Sequence, residues 1–131
     1  MKWSDDLSLT INEIDSQHQR LIELINILHE AMLSKQGKEG VAQIIDELAA
    51  YTVYHFKTEE DYMQKFKYAG YYSHKREHEM FVEKVDTFQK AFDSGKLGLS
   101  LEVMNFLRDW VTNHIKGTDK QYSETFHKNG L

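Results

Sequence analysis

Seven residues carry side chains that metal ions bind, at spacings that bring them together: His18, His55, Glu59, His74, His78, His114 and Asp119. They fall in four stretches of helical periodicity, each on the apolar face of its stretch. Five imidazoles and two carboxylates on four inner faces form a ligand set for two metal ions. Neither packing nor surface solvation requires such a set. Residues four apart share a helix face, so His55–Glu59 and His74–His78 each present two donors to one centre. The spacing of His114 and Asp119 is five, which a regular helix would not align. A turn widened to the π type, common at functional sites, brings Asp119 back. Gly117 makes such a distortion cheap. A regular helix through 114–119, with Asp119 in solvent, would break the set.

Counting coordination positions gives these donors a chemistry. Two octahedral metals bridged by both carboxylates and one oxygen atom need six further terminal ligands. The five imidazoles fill all but one. One metal is then saturated and the other keeps an open position, where a small ligand binds. Imidazole and carboxylate suit iron, zinc, copper or manganese. Structural zinc is less apt, being closed and tetrahedral. Carboxylate-rich di-iron bundles use paired Glu-x-x-His motifs, a spacing met here only at Glu124–His127.

The elements that must position these residues are legible from punctuation and period. The chain has 131 residues, no proline and no cysteine, with 40% hydrophobic and 28% charged residues, which bounds it to one domain over 1–131 without disulfides or thiolate metal sites. Gly37 and Gly40, then Gly70, then Gly95 and Gly98 separate four apolar stripes. Helices are expected over about 16–36, 41–67, 71–94 and 100–118, each roughly 20 residues or ~30 Å long. A non-helical arm, 1–14, with Trp3, Leu7, Leu9 and Ile11 making apolar contacts, precedes them, and a short, frayed C-terminal extension follows. Asp15, Ser16 and Ser100 are the expected N-caps. Short connections make this an all-α, antiparallel up-down-up-down four-helix bundle. Alternation of direction then brings all seven donors to the same end of the bundle.

The order H…HxxxE…HxxxH…HxxxxD, set in EIDSQH, HFKTEE, SHKREHEMF and WVTNHIKGTDKQY, resembles the hemerythrin family, in particular its single-domain bacterial members, over essentially the whole chain. The resemblance implies a non-haem di-iron centre, two iron ions (Fe2+/Fe3+) with a bridging oxo or hydroxo group. His74, His78 and His114 would hold the saturated iron, and His18 and His55 the iron with the open position. Glu59 and Asp119 would bridge them. The implied activity is reversible, non-enzymatic O2 binding for delivery, storage or sensing, with NO or small anions such as azide as other ligands of the open position. Leu21, Ile22, Phe56, Trp110 and Ile115 are expected to line the ligand pocket, and an apolar lining disfavours release of charged oxygen species. Gly117 stands where animal members place an aliphatic side chain, so a looser pocket and faster autoxidation are expected.

Other readings follow from the same residues. The open iron could instead reduce nitric oxide or peroxide, or the protein could donate iron for repair. In a third reading, an interaction module uses metal only to stabilise the bundle. A net charge of -5 argues against nucleic acid as partner. No apolar run suits a membrane, and MKWSDDLSLT has no signal-peptide core, so a cytoplasmic location is expected. His29 lies ~16 Å along helix one from His18, too far to join the set. His127 is expected in solvent, Glu60–Asp61 on a solvated face, and Tyr51, Tyr54, Tyr62 and Tyr122 in packing roles.

Overall fold

Apolar side chains three and four apart wind the chain into antiparallel helices that bury one stripe each. The computed structural model describes residues 2–33, 38–94 and 101–131. Its helices are α1 (Asn12–Leu33), α2 (Lys38–Lys65), α3 (Tyr71–Asp93) and α4 (Leu101–Asn113). α4 runs without a break through a π-turn, His114–Asp119, into α5 (Lys120–Lys128), and together they make the fourth rod of the bundle. α1 packs on α2 and α4, and α2 on α3. Gly37, Gly95, Gly98 and Ser100 lie outside the described residues. Gly40 lies inside the first turn of α2. Among the described residues no helix is long and apolar enough to cross a membrane.

Two apolar clusters flank a polar layer. The larger runs up the bundle through Leu21, Ile25, Leu28, Leu48, Phe56, Phe81, Leu107 and Val111. The smaller closes one end, with Leu9, Ile11, Ile14, Met63, Tyr122 and Phe126. Along each rod the candidate ligands sit between the two: His18 between Ile14 and Leu21, Glu59 between Phe56 and Met63, Asp119 between Ile115 and Tyr122. Apolar walls above and below hold these polar groups away from water.

Both termini belong to this closure, unlike their expected states. The arm forms a 3-10 turn at Asp5–Leu7, and α1 begins at Asn12, so Asp15 and Ser16 lie within the helix rather than capping it. Asp15 reaches back instead. It accepts hydrogen bonds from the Leu9 amide at 2.8 Å and the Ser8 hydroxyl at 2.5 Å, fastening the arm. The C-terminal segment is not frayed: α5 buries Tyr122 and Phe126 completely. Truncating a fully buried phenylalanine removes its transfer energy and leaves a cavity. Phe126→Ala is therefore expected to destabilise the protein by about 3–5 kcal/mol in chemical denaturation.

Gly70 lies between α2 and α3, as expected, at the N-cap of α3, but it is not the residue that ends α2. Lys67 takes the left-handed conformation, at φ 55. The Tyr68 amide donates to the Met63 carbonyl at 2.8 Å and the Lys67 amide to that of Gln64 at 3.2 Å. That pair of bonds is the Schellman cap, and Met63 and Tyr68 both belong to the apolar packing at this end of the bundle. Glycine occupies that position in most such caps, because a Cβ in the left-handed region costs roughly 1–2 kcal/mol. Lys67→Gly is expected to stabilise the fold by about 1 kcal/mol, read as a raised denaturation midpoint at unchanged slope.

Candidate metal centre

The last helix must widen to bring Asp119 to the histidines, and it does. Residues His114–Asp119 form a six-residue π-turn, whose extra residue returns Asp119 to the His114 face. All seven candidate ligands are buried, none more than 4% exposed. Asp119 offers Oδ1 to His74 Nε2 at 2.9 Å and His114 Nε2 at 3.0 Å, and Oδ2 to His18 Nε2 at 3.0 Å. Glu59 places Oε1 2.6 Å from His55 Nε2 and Oε2 3.7 Å from His74 Nε2. His78 Nε2 lies 3.1 Å from His114 Nε2.

The donors divide into two groups that share both carboxylates. One has five members, Glu59, His74, His78, His114 and Asp119; the other has four, His18, His55, Glu59 and Asp119. Several of these atoms are near each other without bonding to each other. Among the described residues, the buried polar side-chain atoms without a hydrogen-bond partner are Arg108 Nε and atoms of His18, Glu59, His74 and Asp119. Orphaned buried atoms of this kind are costly, and those of the cluster, the Nε2 atoms of His18 and His74, Glu59 Oε1 and both oxygens of Asp119, lie close together. A pair of cations would satisfy these.

Charge completes the fit. Burial pushes the Asp119 carboxyl up, but the imidazoles around it, His114 foremost, hold it well below the usual carboxylate range. Burial and Asp119 also oppose charge on Glu59, yet His55 and its neighbours keep it low. Burial lowers His78 to about 3, whereas His114, against the same burial, is carried up to about 9 by Asp119. Two buried carboxylates thus stay ionised and borrow their countercharge from imidazole protons, which bound cations would displace.

The same fold occurs in known proteins. The model of the hemerythrin HHE cation binding domain matches residues 9–125. The chain belongs to the hemerythrin family. It is 40% identical over 122 residues to a bacteriohemerythrin of Stenotrophomonas maltophilia, covering 93% of this chain and 78% of that one. With a bacteriohemerythrin of Methylococcus capsulatus it shares 34% identity, covering 93% of each chain. A crystal structure of wild-type hemerythrin superposes with a TM-score of 0.91 at 32% identity, covering 96% of this chain and 97% of that one. Hemerythrins bind O2 at a non-haem di-iron site, and the donor cluster found here is capable of holding metal.

In this chain the contacts behind the candidate ligands come from residues whose sequence positions give little signal. His55 Nδ1 donates to the Gln17 amide oxygen at 2.7 Å. His78 Nδ1 donates to Glu60 at 2.8 Å, so Glu60 is not on a solvated face; its neighbour Asp61 is, paired with Lys57. His114 Nδ1 donates to Glu77 at 3.2 Å, and the Thr118 hydroxyl donates to the same carboxylate. Each such bond fixes the tautomer that turns the Nε2 lone pair inward. Tyr122 is more than packing: its hydroxyl donates to Glu59 Oε2 at 2.7 Å. Tyr122→Phe, which strands that oxygen but keeps the ring, is expected to weaken iron retention about 10–100-fold in chelator competition while the bundle stays folded. His29 lies apart, paired with Arg108, and exposed His127 bonds to Thr10.

Apart from Gly117, the expected pocket residues share the main apolar cluster, with Leu21, Ile22, Phe56 and Ile115 buried inside it and Trp110 packed against it. Phe56 stacks on His78, with ring centres 3.7 Å apart, and Trp110 on His114 at 4.3 Å, so both lie against the three-histidine group. A groove of about 410 Å³ between α2 and α3 reaches Phe56, Glu60 and His78 from outside. Gly117 does not face the cluster. It is exposed, and a Cβ added there would meet nothing within 4 Å, because the π-turn that turns Asp119 inward turns Gly117 outward. The expectation of a pocket loosened by Gly117 is therefore corrected. Gly117→Ala is expected to leave iron content unchanged and to stabilise the helix by roughly 0.5–1 kcal/mol in denaturant melts.

Proposed function

We propose that the protein binds O2 reversibly and without turnover at a di-iron centre held by His18, His55, Glu59, His74, His78, His114 and Asp119. The inequality of the two donor groups carries this reading: five protein donors on one side, four on the other. One further oxo or hydroxo ligand shared by the two irons would bring these to six and five, which would leave one position open beside His18 and His55. The iron pair, when bound, supplies the two electrons that O2 binding needs. The chain does the rest. Glu59 and Asp119 span the two groups and fix their separation. Gln17 holds the His55 ring in its tautomer. The buried side chains of Leu21, Ile22 and Ile115 keep bulk water from the interior, which disfavours escape of a charged oxygen species. Delivery, storage and sensing all use this chemistry, and azide or NO would compete for the same position.

Stopped-flow mixing of the anaerobic ferrous protein with O2 tests the proposal. A visible charge-transfer band that forms on mixing and disappears when argon removes O2 is expected. Sustained consumption of NO or peroxide with an electron donor, without a reversible O2 band, would reassign the protein as a di-iron enzyme. Absence of any rapid reaction would leave the metal a stabilising role.

A further inference from the structure

Three of the five imidazoles have a hydrogen bond behind them, and these bonds are divided by charge. On the three-histidine side His78 donates to one carboxylate, Glu60, at 2.8 Å, and His114 to another, Glu77, at 3.2 Å. Glu77 is itself held by the Thr118 hydroxyl at 2.9 Å and 3.1 Å. On the two-histidine side His55 donates to a neutral amide, Gln17 Oε1; His18 on this side and His74 on the other have no partner at Nδ1, so the contrast lies between the two carboxylates and the one amide. A carboxylate acceptor draws the Nδ1 proton, leaves negative charge on the ring and makes Nε2 a stronger donor. An amide orients the ring without adding charge. Stronger, more anionic donation favours a ferric ion over a ferrous one.

The three-histidine side is also the more rigid. Phe56 lies flat on His78, at 3° between planes, and Trp110 on His114, at 14°. Their imidazoles cannot swing away from Glu60 and Glu77 without losing these faces. Tyr122 works in the opposite sense, drawing charge from Glu59 Oε2. It is a neutral donor to a bridge that both metals share, so it distinguishes them less than two carboxylates on one side do.

Building on the di-iron reading, we propose that Glu60 and Glu77 set the order of oxidation, so that the metal held by His74, His78 and His114 loses its electron first. A one-electron oxidant such as ferricyanide takes that electron and becomes ferrocyanide; no bond to the protein forms or breaks. The metal beside His18 and His55 stays ferrous and keeps its open position in the half-oxidised protein.

Anaerobic spectroelectrochemical titration of the iron-loaded protein, with iron analysis of every sample, tests this. Two resolved one-electron steps are expected in the parent protein. Glu60→Gln and Glu77→Gln should each raise the first step more than the second. A contact that favours the ferric ion tenfold corresponds to about 59 mV in a one-electron step. Thr118→Val, which loosens Glu77 but keeps it, should give a smaller shift of the same sign. Gln17→Glu should lower the second step and narrow the gap. The proposal is overturned if both electrons leave in one unresolved step, if the two glutamine variants move neither step or move both equally, or if they no longer hold two irons, which would make the carboxylates metal-retaining rather than tuning groups. A parent protein that takes up no iron pair would sink the O2 reading itself. An intact parent pair with an unmoved gap would sink this inference alone.

Discussion

Asp119→Ala is expected to abolish assembly of the metal pair, leaving at most one iron per chain by elemental analysis and no charge-transfer absorption. The reason is the position of one carboxylate among three imidazoles. Asp119 contacts His74 and His114 through one oxygen and His18 through the other, so it is the link between the two donor groups. Without it the groups fall to four and three donors, and the shared bridge rests on Glu59 alone. The variant also leaves the Nε2 atoms of His18, His74 and His114 buried without the carboxylate each of them touches. Removing one partner of a buried charge pair costs about 3–5 kcal/mol. Far-ultraviolet circular dichroism separates the two effects. A helical protein that still carries two irons would remove Asp119 from the ligand set.

The second large effect is on stability. Stripping metal with a chelator is expected to lower the thermal midpoint by roughly 20–30 °C. Each site saturated at a thousandfold excess over its dissociation constant adds about 4 kcal/mol, and a chain of this size loses ~3 °C per kcal/mol. The structure says where the loss would fall. The polar layer lies between the two apolar clusters, and its orphaned atoms are the groups that cations would satisfy. Without metal the layer is a seam. Amide exchange should then accelerate most in the end closure of arm and α5, and less in the mid-bundle turns around Leu28 and Leu107. A change below about 5 °C in differential scanning calorimetry would mean that the layer is satisfied without metal.

How much of this was legible in the sequence depended on the distance over which each contact is set. His55–Glu59 and His74–His78 needed only the pitch of one helix. The widened turn followed from one spacing, five residues from His114 to Asp119, that no regular helix accommodates. Gln17, Glu60, Glu77 and Tyr122 were not visible in the same way. Their partners lie on other helices, and whether a border carboxylate meets an imidazole or water depends on ångström-scale offsets between rods. A charged residue one step off the apolar stripe reads as solvated, which is how Glu60 was misplaced. The C-terminal segment was hidden for a different reason. The π-turn interrupts the phase of the fourth rod, and past it Tyr122 and Phe126 stand singly among Lys120, Gln121, Ser123, Glu124 and Thr125, so the stripe seems to stop before them.

That interruption of phase has a wider consequence. A π-turn holds one residue more than the helix around it, so everything downstream is rotated by about 100° relative to an uninterrupted rod. Asp119, Tyr122 and Phe126 all face inward on that shifted phase. A single insertion thereby aims a metal donor, its hydrogen-bond partner and the plug that closes the end of the bundle. The reverse operation, deletion of Gly117, would move all three together. Loss of one side-chain-free residue from the outer surface would dismantle chemistry and closure in the same step.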